Sequence, residues 1–181
     1  MRNYGPQELA ASFRTVRKNT LLVAEEISEA DYSYKPTPES RSVAEVLSHI
    51  AVVTSSSYQA HAVRQVKTLA GLDFGALLRE RQALEGRLQT KAQILEALRQ
   101  SGEEWASFLE GAQESFLADV IEFPLGAEPP RKSRFEMILG VKEHEMHHRA
   151  QLMVIQRLRG AVPHLTRERQ ARLAQMAQDK G

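Results

Sequence analysis

Between Ser133 and Gly160 the chain reads SRFEMILGVKEHEMHHRAQLMVIQRLRG, a run with no proline. Ser133 and Glu136 form an S-x-x-E capping box, which satisfies two orphan amide donors at a helix start. Gly160 can adopt the left-handed conformation that ends a helix. Gly140 weakens the run slightly without breaking it. Met137, Val141, His144, His148, Leu152 and Ile155 recur at the i, i+3, i+4, i+7 spacing of one helical face. The run therefore predicts one long helix with two histidines on the stripe that faces a core. Four residues apart, His144 and His148 lie one turn above each other, about 40° apart around the axis. Two imidazoles so placed can reach one metal ion. A lone histidine on such a face is more commonly a satisfied core residue, and a catalytic zinc-type centre normally takes three protein ligands. A third ligand is needed from another element. His147, on the flank of the same helix, is a weaker candidate and is expected to be partly exposed.

The sequence contains no cysteine. Disulfides, thiolate ligands and a cysteine nucleophile are excluded, so any metal must be held by His, Asp or Glu. With a formal net charge of +1, the 181-residue chain has no strong field to attract nucleic acid or an anionic membrane. The expectation is no nucleic-acid partner, although Arg167, Arg169 and Arg172 cluster near the end. No apolar run approaches the length of a membrane span, and MRNYGPQEL does not resemble a signal peptide. One domain over residues 1–181, soluble and cytoplasmic, is the default reading.

Pro6 suits the first position of a first helix, which Leu9, Phe13, Val16, Thr20 and Val23 carry to about Ser28. EADYSYKPTPESR reads as a loop, with Tyr32 and Tyr34 as core anchors. Ser42 and Glu45 make a second capping box. The helix behind it is expected to run through VAEVLSHIAVVTSSSYQAHAVRQVK on a stripe of Val43, Val46, Leu47, Ile50 and Val53, continued by Thr54 and Ser57. His49 sits at the edge of this stripe and supplies the missing third ligand. His61 lies about 18 Å further along the axis and cannot join that site. Residues 68–89 read as a partly helical crossover, with Asp73 as a cap. Thr90 and Gln93 open a third capping box before Ile94, Leu98, Trp105, Phe108 and Leu109, with Gly102 as a bend or break. FLADVIEF, at residues 116–123, reads as a short strand or extended segment. After Gly160 comes a short amphipathic helix with Leu165, Leu173 and Met176 for packing. The expected fold is all-α: a four-helix bundle with a long crossover, an extended segment before the fourth helix and a short C-terminal helix. Such bundles build sites from side chains on facing helices.

The histidine in SVAEVLSHIA and the run EHEMHHRAQLMVIQRLRG resemble the DinB-like superfamily of bacterial metal-binding four-helix bundles, which includes the YfiT-type proteins. The second run is similar to the family's HxxHHRGQ followed by a leucine- and arginine-containing tail. Ala150 stands where the family commonly has glycine. The resemblance spans most of residues 6–160 and implies His49, His144 and His148 as ligands to a divalent metal, zinc or nickel. It places His147 at the non-ligand position of the HH pair. Glu45 and Glu145 are candidates to orient a ligand ring, and Gln151 could hydrogen-bond near His148. Relatives that resemble bacillithiol S-transferases and mycothiol-dependent maleylpyruvate isomerases imply a small-molecule substrate and a low-molecular-weight thiol. A metal-dependent hydrolase and a non-catalytic metal- or ligand-binding bundle are the alternatives. The family often pairs its bundles, so a homodimer is expected.

Overall fold

A computed structural model describes residues 4–179. Four long helices form the bundle: α1 (Pro6–Glu26), α2 (Val43–Tyr58), α4 (Lys91–Gly111) and α6 (Arg134–Leu158). A crossover helix, α3 (Phe74–Glu85), lies between α2 and α4. A single turn, α5 (Glu114–Leu117), precedes α6, and α7 (His164–Gln178) follows it. α1 and α2 each pack against both α4 and α6. α1 and α2 therefore sit across the bundle from each other, as do α4 and α6, and α2 is a direct neighbour of α6.

All three capping boxes form. Ser42, Thr90 and Ser133 accept from the backbone of Glu45, Gln93 and Glu136, and each of those side chains reaches back to its cap. Asp73 caps α3 by accepting from Ala76 N–H at 2.8 Å. Gly160 has φ +81°, which glycine adopts without the Cβ penalty.

Several boundaries differ from the sequence reading. α1 ends at Glu26 rather than Ser28, because Ile27 turns extended to bury its side chain. α2 gives way at Gln59–Val63 to a wider π-turn that buries His61. FLADVIEF splits: Phe116 and Leu117 belong to α5, and only β1 (Val120–Glu122) is extended. β1 pairs antiparallel with β2 (Arg131–Ser133), with Ile121 opposite Lys132, and Ile121 is buried. α4 passes through Gly102 without a break. α7 buries His164, whereas Leu173 and Met176 are about half exposed.

The core has two apolar halves. One gathers Val23, Val46, Leu47, Ile50, Ile94, Leu98, Leu152 and Ile155, with Tyr32 anchored by its hydroxyl on the Ala24 carbonyl. Tyr34 packs at its edge. The other gathers Leu9, Phe13, Trp105, Leu109, Ile138 and Val141. Between them in sequence on each long helix stands a buried polar network. Arg17 Nε and Nη2 donate to the Glu145 carboxylate at 3.0 and 2.9 Å. The same guanidinium reaches Ser101 Oγ, Thr54 Oγ1 and the Leu98 carbonyl.

This network corrects the predicted face of α6. Val141, Leu152 and Ile155 are buried as expected, but Met137, His144 and His148 are only half-buried. Ile138, Glu145 and Gln156 turn inward instead. Glu145, 1% exposed, could enter the core because Arg17 neutralises it there.

Candidate metal centre

The rotation of α6 that buries Glu145 leaves His144 and His148 at the margin of the core, facing α2. His49 meets them from α2. Its Nε2 lies 3.1 Å from His144 Nε2, and His148 Nε2 lies 3.1 Å from the same atom. The three ligand atoms all fall within 4.8 Å of one another. Nitrogens bound to one tetrahedral zinc-type ion at about 2.0–2.1 Å would stand about 3.3 Å apart, close to the two short separations. Among the described residues this is the cluster of His, Asp and Glu side chains whose geometry could hold a metal ion.

The outer nitrogens decide which way the lone pairs point. His49 Nδ1–H donates to Glu85 Oε1 at 2.7 Å. A carboxylate only accepts, so the proton sits on Nδ1 and Nε2 presents a lone pair. His148 Nδ1–H donates to Gln151 Oε1 at 2.9 Å, which likewise frees its Nε2. Gln151 in turn donates through Nε2 to His147 Nε2 at 3.1 Å, fixing the orientation of the amide. Two lone pairs are therefore aimed at His144 Nε2 from either side. His144 has one proton at most to share while neutral, so the arrangement lacks positive charge at its centre. A divalent cation supplies it, and the donor set fits one.

Burial keeps the rings neutral. Desolvation is the main cause that lowers the pKa of all three histidines, taking His144 to about 4. Glu85 and Gln151 oppose the shift at His49 and His148 through their hydrogen bonds. Near pH 7 protons therefore do not compete strongly for the ligand lone pairs.

The sequence reading of the supporting residues stands only in part. Gln151 does hydrogen-bond to His148. Glu45 does not orient His49: its carboxylate accepts from Ser42 N–H and pairs with Lys35. Glu145 belongs to the Arg17 network. The residue that does hold His49 is Glu85, from the C-terminal end of α3. Its position in an exposed amphipathic stretch gave no local sign of this. His147 is exposed and contributes no atom to the converging set. His61, as expected, lies elsewhere, buried beside Trp105 and accepting from Arg134 Nη1 at 3.1 Å.

The family model described as the DinB superfamily matches residues 12–152. Among solved structures, one similar chain is YfiT from Bacillus subtilis, described as a probable metal-dependent hydrolase with an unusual four-helix bundle topology. It aligns with a TM-score of 0.68 at 12% identity, over 89% of this chain and 91% of its own. A second is a DinB-like protein, also from Bacillus subtilis, with a TM-score of 0.56 at 21% identity, over 86% of this chain and 93% of its own. At these identities the likeness establishes the fold. No curated protein matches the sequence. No helix among the described residues is long and apolar enough to cross a membrane.

Proposed function

The chain belongs to the DinB superfamily, and from that premise we propose that it is a metal-dependent enzyme whose His49, His144 and His148 hold one divalent ion, zinc or nickel. The observation that carries this reading is the convergence of the three Nε2 atoms, two of them fixed as lone-pair donors by Glu85 and Gln151. When bound, the ion would act as a Lewis acid toward an oxygen or sulfur group of a small molecule.

The chain's own part is positional. Three neutral imidazoles use three coordination positions and leave room for a further ligand. Glu85 and Gln151 hold two of the rings in one tautomer. His147 holds Gln151. The half-buried setting, with the His49 side chain 16% exposed, limits water while leaving an approach from solvent.

For the reaction, the proposal is transfer of a low-molecular-weight thiol to a small electrophile. The thiol gives its proton to solvent, the thiolate sulfur forms a carbon–sulfur bond, and the carbon–leaving-group bond breaks with its electron pair leaving on the departing anion. The family resemblance supports this reading, and the chain, with no cysteine, would need the nucleophilic sulfur from outside. Hydrolysis is the second reading, favoured by the description of the YfiT relative. Metal-loaded protein should convert bacillithiol, mycothiol, glutathione or coenzyme A plus 1-chloro-2,4-dinitrobenzene to a thioether, and His144→Ala should abolish it. No thioether with any thiol, but metal-dependent cleavage across an ester and amide panel, would shift the reading to hydrolysis. Neither activity would reduce the centre to a structural or ligand-holding site.

A further inference from the structure

α3 has an unusual standing in this fold. None of its residues is fully buried, and Phe74 and Leu78 are more than half exposed. The bundle helix it packs on is α2. A cavity of about 310 Å³ lies between the two, lined by Ala44, Glu45 and Ser48 from α2 and by Gln82, Glu85, Gly86 and Leu88 from α3 and the residues after it. A helix with so little buried apolar area gains little from packing. Among the described residues, its one close polar tie to the bundle is the 2.7 Å hydrogen bond from His49 Nδ1 to Glu85 Oε1, between side chains that are 16% and 18% exposed.

We infer that Glu85 is a positioning residue of the metal centre, and that through it metal binding tightens the docking of the crossover helix α3 on α2. This rests on the metal reading above. The physical link runs both ways. Glu85 holds His49 in the tautomer that aims a lone pair inward, and partners of this kind typically change metal affinity by 10- to 100-fold. In the reverse direction, a cation on Nε2 would withdraw electrons from the ring, making Nδ1–H a better donor and strengthening its bond to the carboxylate. Because the coupling is reciprocal, whatever docking contributes to affinity, metal must contribute to docking. Gln151 cannot give His148 the same leverage over the fold, since it lies on the same helix and ties down no other element.

Three measurements test this with zinc as the probe. In the wild-type chain, zinc should slow amide hydrogen exchange across residues 74–85 at least tenfold, while the centre of α4 stays unchanged. In Glu85→Ala, zinc affinity measured against a chelator should fall 10- to 100-fold and the zinc-induced protection of α3 should disappear. Glu85→Gln, isosteric but uncharged, should fall between the two. The third readout is the ¹⁵N shifts of the His49 ring in the zinc-free protein. They should show the Nδ1–H tautomer in the wild type and a move toward Nε2–H in Glu85→Ala, a change that loose packing alone would not produce. Wild-type protein that binds zinc without added protection of α3, or variants that bind within twofold of wild type with an unaltered His49 tautomer, would overturn the inference while sparing the metal reading. Wild-type protein that binds no zinc would overturn both.

Discussion

Glu145 and His144 are neighbours in sequence with opposite fates. The carboxylate is buried and the imidazole is half-exposed. Periodicity alone favoured the reverse, because a glutamate in a helix usually faces solvent. The deciding fact is Arg17, distant in sequence on α1, which pairs with Glu145 inside the core. Removing one partner of such a pair leaves a buried charge uncompensated. Glu145→Ala should therefore lose about 3–5 kcal/mol in chemical denaturation, and the paired change Glu145→Met with Arg17→Met should lose far less. His61, away from the three-histidine cluster, gives one pH dependence. Burial first, and then the Arg134 guanidinium, lowers its pKa to about 4, against about 6.5 when unfolded. The unfolded chain thus binds a proton that the native chain refuses between those values. Stability is intact above pH 6.5 and falls as pH drops toward 4, by on the order of 3 kcal/mol for this group. Denaturation midpoints of the wild type and His61→Gln should converge as the pH is lowered. Parallel curves over that range would mean that His61 does not carry the effect.

Among the elements, the legible ones were those whose signals are local. Ser42–Glu45, Thr90–Gln93 and Ser133–Glu136 announce three helix starts because a capping box closes within one turn. The His144–His148 pair is legible for the same reason, and His49 follows once α2 is a helix. Glu85 was not legible: its partner is 36 residues away, and nothing in FGALLRERQALEG distinguishes it from its solvated neighbours. Gly102 shows the same limit. It reads as a break, yet α4 continues through it, because the glycine makes room for Arg17. A Cβ there would sit 2.8 Å from Arg17 Cγ and Nη1. That guanidinium is pinned by hydrogen bonds and cannot swing aside. Gly102→Ala should therefore destabilise by roughly 1–3 kcal/mol of overpacking, offset in part by the better helix propensity of alanine, about 1 kcal/mol. A variant more stable than wild type would contradict this account of the site.

For the whole molecule, the sequence implied helix count and crossover but not the order of helices around the bundle. That order, with α1 and α2 opposite each other, brings α2 and α6 together and so creates the three-histidine centre. The homodimer expected from the family resemblance is a proposal at this scale. Leu173 and Met176 on α7, with Val154 and Leu158 on α6, are exposed apolar side chains that a second copy could cover. Light scattering should give a dimer mass, and Leu173→Glu with Met176→Glu should lower it. A monomer mass across a wide concentration range would remove the dimer. The centre itself is tested most directly by metal content. Protein purified without a metal-affinity column, loaded with zinc and then challenged with a chelator, should retain about one equivalent by elemental analysis. His49→Ala, His144→Ala and His148→Ala should each retain far less, and His147→Ala should keep most of it. Full retention in all three ligand variants, or no retention in the wild type, would contradict the assignment of this site.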